Sequence, residues 1–118
     1  MKYYKVVQTH ITDTELSYIS SYMSLHVAGV RYKIGEWVEP RGQNGPLCVF
    51  SDLSMAKAYA KEHRFLVFEC EIVKSCLLNA WTIYNDTLGI SKMWSAYYLP
   101  NYTVLADKVK LIKQVECN

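Results

Sequence analysis

A chain of 118 residues, 51% hydrophobic and 20% charged, is sized and mixed for one globular domain over residues 1–118 and argues against a disordered chain. Its net charge of +2, with Lys and Arg scattered among Asp and Glu, excludes the basic footprint of a dedicated nucleic-acid binder. No apolar run approaches membrane-spanning length and the opening MKYYKVVQTH has no signal-type core, so the expectation is a cytoplasmic protein without a membrane partner.

Residues 2–8 predict a strand rich in Tyr and Val, with Tyr4 and Val6 on one face and Tyr3, Lys5 and Val7 on the other. Thr9 and His10 stand at its end. Thr12-Asp13-Thr14-Glu15 has capping-box spacing, and Leu16, Ile19 and Met23 share a helical face; together they predict a short helix. Residues 25–32 are apolar and β-branched, a strand with Gly29 at a bend or bulge. Tyr32-Lys33-Ile34-Gly35 leads to Glu36-Trp37-Val38-Glu39-Pro40, where Pro40 lacks the donor that further pairing needs.

Arg41-Gly42-Gln43-Asn44-Gly45-Pro46 is the clearest loop, and it lacks the pattern of a Walker-type phosphate loop. Leu47-Cys48-Val49-Phe50 then reads as a short buried strand. Ser51 and Asp52 offer N-caps to a helix through about residue 63, with Leu53, Ala56 and Ala60 on one face and Tyr59 at its edge. Residues 66–72 alternate, placing Leu66, Phe68, Cys70 and Ile72 inward and Val67, Glu69, Glu71 and Val73 the other way. After apolar Leu77, Leu78, Trp81 and Ile83, Asn85-Asp86 and Gly89 signal a turn. Residues 103–106 and 108–112 predict two strand segments, with Val109 and Leu111 in and Lys108 and Lys110 out. Strands outnumber about two short helices. The fold class is α+β, a compact single domain with a mixed or antiparallel sheet.

Few residues suggest chemistry. Arg31, Lys33 and Arg41 beside Tyr32 and Trp37 combine charge with aromatic faces, which suits a phosphate and a stacked base; the plain alternative is snorkelling side chains on an exposed strand. Ser51 at a helix start could face an anion, against the simpler reading of capping. His10 suits proton transfer, and Glu69 with Glu71, about 7 Å apart on one strand face, suits a cation or sugar; the alternative is a solvated strand face. The four cysteines, Cys48, Cys70, Cys76 and Cys117, show no C-x-x-C and no zinc spacing, so free thiols and no metal are expected. Ten tyrosines and three tryptophans are a surplus that suits a half-wet surface, a ligand site or a homo-oligomer interface; the plain alternative is the usual aromatic content of strands in a small β-rich domain.

Three stretches carry a resemblance: Tyr32 through Pro40, then Val49-Phe50-Ser51-Asp52 with Ala56 and Ala60, then Val67-Phe68-Glu69-Cys70-Glu71. With Leu99-Pro100-Asn101-Tyr102-Thr103-Val104-Leu105-Ala106-Asp107-Lys108-Val109-Lys110-Leu111 they resemble a pattern of small phage and bacterial proteins, covering most of the chain after Arg31. That resemblance implies a fold family and a host-cell cytoplasmic setting, and it brings no activity with it. More distantly, the order of elements resembles small ADP-ribosyltransferase-like domains. There His10, Ser51 and Glu69-x-Glu71 would fall near an NAD cleft, although the glutamates come one strand early.

These readings converge on a non-enzymatic module binding a nucleotide-like small molecule without a cofactor, one that sequesters a host signal or modulates a host protein. The alternatives are an NAD-using ADP-ribosyltransferase-like enzyme, with His10, Glu69 and Glu71 as its candidates, and a protein-interaction or oligomerisation domain. The ligand-binding candidates are Arg31, Tyr32, Lys33, Arg41 and Ser51.

Overall fold

The computed structural model describes residues 2–11, 16–20, 30–40, 45–83, 90–95 and 101–116, with backbone alone for 10–11, 16–20, 63, 80–83 and 90–95. Its organising strand comes last in the chain. β9 (Thr103–Val115) reads as two segments in the sequence but runs unbroken for 13 residues. Along one edge it pairs with β6 (Leu66–Lys74); along the other it pairs with β5 (Leu47–Phe50) and β4 (Trp37–Val38). Two irregularities reconcile its length with one buried face. Between Cys70↔Leu111 and Glu69↔Lys113 the register skips Ile112, and between Val73↔Lys108 and Lys74↔Ala106 it skips Asp107. Each extra residue flips the alternation. That is how Ala106, Val109 and Leu111 all come to be fully buried on one strand.

β1 (Tyr3–Ile11) closes the ring, antiparallel to β6 along residues 3–7 and to β5 at Tyr4↔Phe50. The circuit β1–β6–β9–β5 is a small closed barrel. Going one way, Tyr4 leads through Glu69 to Lys113; going the other, through Phe50 to Thr103. That stagger of ten residues along β9 means strongly tilted strands, the condition for closing so few of them. From Val7 onward β1 pairs instead with β2 (Leu16–Ser20), which pairs with β3 (Arg31–Tyr32). Between β3 and β4 the Glu36 N–H donates to the Lys33 carbonyl at 3.2 Å, with Gly35 at φ +84° as a type II turn needs. The Gly35 N–H donates to the Leu111 carbonyl at 2.8 Å and ties that turn to β9.

The helix predicted from Thr12 is thereby overturned, since residues 16–20 are strand. Ser17, Tyr18 and Ile19 are poor helix formers, and a marginal local helix yields to a ladder with β1. The described residues hold one helix, not about two. α1 (Leu53–His63) begins as expected, the Asp52 carboxylate accepting from the Met55 N–H at 3.0 Å. It ends on Arg64 in the left-handed region, with the Arg64 and Phe65 N–H groups bonded to the Lys61 and Ala60 carbonyls. β7 (Asn79–Ile83) and β8 (Ile90–Ser95) form a separate two-stranded hairpin.

Two apolar layers result. Val7, Tyr32, Val49, Phe68, Val109 and Leu111 fill the barrel, with Leu66 and Ile72 packed against them, as the alternation of β6 predicts. Outside, Ala56 and Ala60 bring α1 close onto Val6, Phe50 and Val67. Val67 is therefore fully buried, although the alternation alone assigns it to the outward face. No helix among the described residues is long and apolar enough to cross a membrane.

Candidate functional site

Among the described residues, two places hold side chains that core packing does not call for, one inside the barrel and one on its outer face.

Inside, Lys5 follows the interior alternation of β1 between Tyr3 and Val7 and is only 5% exposed. Its ammonium donates to the Cys48 carbonyl at 2.7 Å and lies 5.5 Å from the centroid of the Tyr32 ring. It makes no ion pair among the described residues. Burying an ammonium is costly, and one carbonyl plus a ring face offsets only part of that cost. The same charge reaches two thiols. Burial pushes the Cys70 thiol up to about 12, and it raises Cys48 as well, with Lys5 pulling both the other way. A protonated buried thiol is a poor nucleophile, in line with Cys70 as a small core residue. Cys48, Cys70 and Cys76 are free.

On the outer face, side chains of β4, β9 and β6 form a cross-strand grid. Trp37 opposes Lys110, which opposes Glu71. The Lys110 ammonium lies 5.0 Å from the Trp37 ring centroid and 3.3 Å from the Glu71 carboxylate. One row along, Lys108 meets Glu39 at 3.4 Å and opposes Val73. Trp37 stays 46% exposed, and Ile34, Val73 and Ile112 are exposed as well. The helix covers the start of β6 and leaves this face bare.

The residues expected to border a ligand divide among three places. Arg31 and Lys33 are exposed at the β3–β4 corner, near Trp37 in the chain. Tyr32 between them turns inward and is 1% exposed, so its ring is covered where a stacking face was expected. The alternation of β3 has that physical consequence: a strand cannot present three successive side chains on one side. Ser51 stands apart. Arg31 lies opposite Ile19, which lies opposite Gln8, whereas Ser51 follows Phe50, which lies opposite Tyr4. Four strand residues separate those levels, roughly 13 Å. The Ser51 hydroxyl and N–H both donate to the Tyr102 carbonyl, at 3.3 and 2.9 Å, and Asp52 caps the helix. Arg41 lies outside the described residues, and of His10 only the backbone is described, opposite Ser17.

The two glutamates are engaged. Glu69 meets Lys2 at 2.9 Å and Lys113 at 3.9 Å, and the Lys2 hydrogen bond holds its carboxyl below the usual range. Glu71 has Lys110. No cluster of three metal-ligating side chains occurs among the described residues. Lys5 carried a signal that sequence reasoning left unused: a lysine between Tyr3 and Val7 on the alternation that ends inside.

Compared with known proteins, the chain has no significant match to a family model, a curated protein or a solved structure.

Proposed function

We propose that this protein is a non-enzymatic binding module whose ligand, a nucleotide-like small molecule, meets the outer corner of β3, β4 and β9. The observation that carries the reading is the half-exposed Trp37 ring with Lys110 over it, close in the chain to exposed Arg31 and Lys33. With one ring face engaged by the ammonium, a planar base has the other, and a cation on the far side strengthens such a stack. Glu36, Glu39 and Glu71 belong to the same surface, so a ligand with one phosphate suits it better than a polyanion. In this reading Trp37 alone takes the stacking role that the sequence offers to Tyr32 and Trp37 together.

Calorimetry against mono-, di- and cyclic nucleotides and NAD tests it. A ligand recovered intact is expected, weakened by about 1–3 kcal/mol in Trp37→Ala, the range for one stacked base. An NAD-using enzyme would instead release nicotinamide. That alternative has less support, because Glu69 and Glu71 are each engaged by lysines. The interaction-domain reading rests on a different observation, the exposed Ile34, Val73, Leu77, Leu78 and Ile112. Absence of binding across the panel, with assembly that rises with concentration and is lost in Trp37→Ala, would overturn the nucleotide reading in its favour.

A further inference from the structure

The four-strand ring is unevenly closed. β6 and β9 share eight register pairs, β1 and β6 five, β5 and β9 four, but β1 and β5 a single one, Tyr4↔Phe50. Past that pair β1 is taken up by β2. The Lys5 ammonium sits where this ladder ends, one residue past Tyr4, and bonds the carbonyl of Cys48 two residues before Phe50. Ser51 adds its own two bonds to β5's anchorage on the β9 side, through the Tyr102 carbonyl. Among the described residues β5 is therefore held to β9 by an extended backbone ladder, and to β1 by one backbone pair, the Lys5 bond and the packing of Tyr4, Val6 and Phe50 beneath α1.

We propose that the β1–β5 seam is a joint that opens without unfolding the rest of the barrel, and that Lys5 is the bolt that closes it. The energetics support a joint in place of a rigid weld. Closed, the ammonium has a carbonyl and the Tyr32 ring but no carboxylate among the described residues; open, it regains water. The closed state gains a charge-assisted hydrogen bond and the packing of Val6 and Phe50 under α1 and loses ammonium hydration, and its opening breaks one backbone pair where parting β6 from β9 would break eight. Local openings of this kind draw on the least-paired part of a structure. What an opening at this place uncovers is the barrel interior beside Lys5, including Cys70, opposite Tyr3 on the adjoining strand.

Thiol labelling with iodoacetamide, read peptide by peptide, together with amide exchange of the same protein, tests the joint. In the unaltered chain Cys70 should label far more slowly than exposed Cys76. It should still label at least about tenfold faster than global unfolding allows, as set by the slowest amides of the β6–β9 ladder. Lys5→Met, which keeps the length and removes the donor, should speed Cys70 labelling by a further tenfold or so while those amides change less than about twofold. Lys5→Gln, a shorter donor, should fall between. Cys70 labelling at the global unfolding rate in the unaltered chain would overturn the proposal, whether or not Lys5→Met folds. An equal acceleration of Cys70 and the β6–β9 amides in Lys5→Met would also overturn it, since Lys5 would then support the whole barrel and not one seam.

Discussion

Val67 and Val73 are the same residue on the same outward alternation of β6, six positions apart, so one substitution at each isolates what α1 does. Val67 is fully buried beneath Ala56 and Ala60, whereas Val73 is 45% exposed beyond the helix. Val→Ala removes two methyl groups. At about 0.8 kcal/mol per buried CH₂-sized group the transfer loss at Val67 is about 1.6 kcal/mol, and a residual cavity raises it to about 2–3 kcal/mol. At Val73, about half covered, the same change loses about half of that transfer term and leaves no enclosed cavity, so the cost stays below about 1 kcal/mol. Phe68→Ala, one residue from Val67 but inside the barrel, should cost about 3–5 kcal/mol. Urea denaturation followed by far-UV circular dichroism measures all three, provided the slope stays constant across the series. Equal effects at Val67 and Val73 would refute the two-layer packing, for they would mean that the helix does not cover the sheet. A large effect at Val73 with a small one at Phe68 would mean that β6 is shifted by one residue.

Two further outcomes follow from the helix end and from the β6 surface. Arg64 adopts φ 60°, a region where a side chain costs about 1–2 kcal/mol; Arg64→Gly should stabilise by about 0.5–1 kcal/mol in the same assay, because the freer unfolded glycine takes back part of the gain. Glu69 has a folded pKa below its unfolded value, the Lys2 hydrogen bond being the main cause, so its contribution is present above the ordinary carboxylate pKa and is lost as pH falls through the folded one. The stability difference between the unaltered chain and Glu69→Gln, measured by denaturation from pH 7 down to about pH 2, should accordingly shrink toward acid; a difference that grows would refute the ion pair with Lys2.

Elements with a local physical cause were legible in the sequence. The Asp52 cap and the spacing of Ala56 and Ala60 are written into adjacent residues, and so is the strict alternation from Leu66 to Ile72; α1, β5 and β6 appear where those signals stand. Residues 16–20 were not legible as strand, because their partner is β1 and nothing local distinguishes a frayed amphipathic helix from a strand of Leu, Tyr and Ile. The continuity of β9 was hidden for a related reason. Ile112 and Asp107 break the period-two pattern, and only pairing with β6 shows that they are bulges inside one strand and not the ends of two. The candidate site was legible in composition and not in geometry: Arg31, Lys33 and Trp37 do stand at an exposed corner, while alternation sends Tyr32 inward and register removes Ser51 to another level.

Tyr32 and Lys5 show why the two failures are one. A closed ring gives every strand an inside as well as an outside, so a residue's environment depends on which face the closure encloses. On β1 the apolar-looking face of Tyr4 and Val6 goes to the helix, and the face that carries a lysine goes to the interior. Sequence alternation finds both faces but does not say which becomes the core, since both are half apolar. Once β6 fixes the interior through Phe68 and Cys70, Lys5 opposite Phe68 must be inside, and its ammonium must find an acceptor there. Tyr32, carried on β3, supplies a face, and Cys48 a carbonyl, at the seam where backbone pairing leaves β5 with a single partner on β1. The buried charge and the thin seam are thus consequences of the same closure.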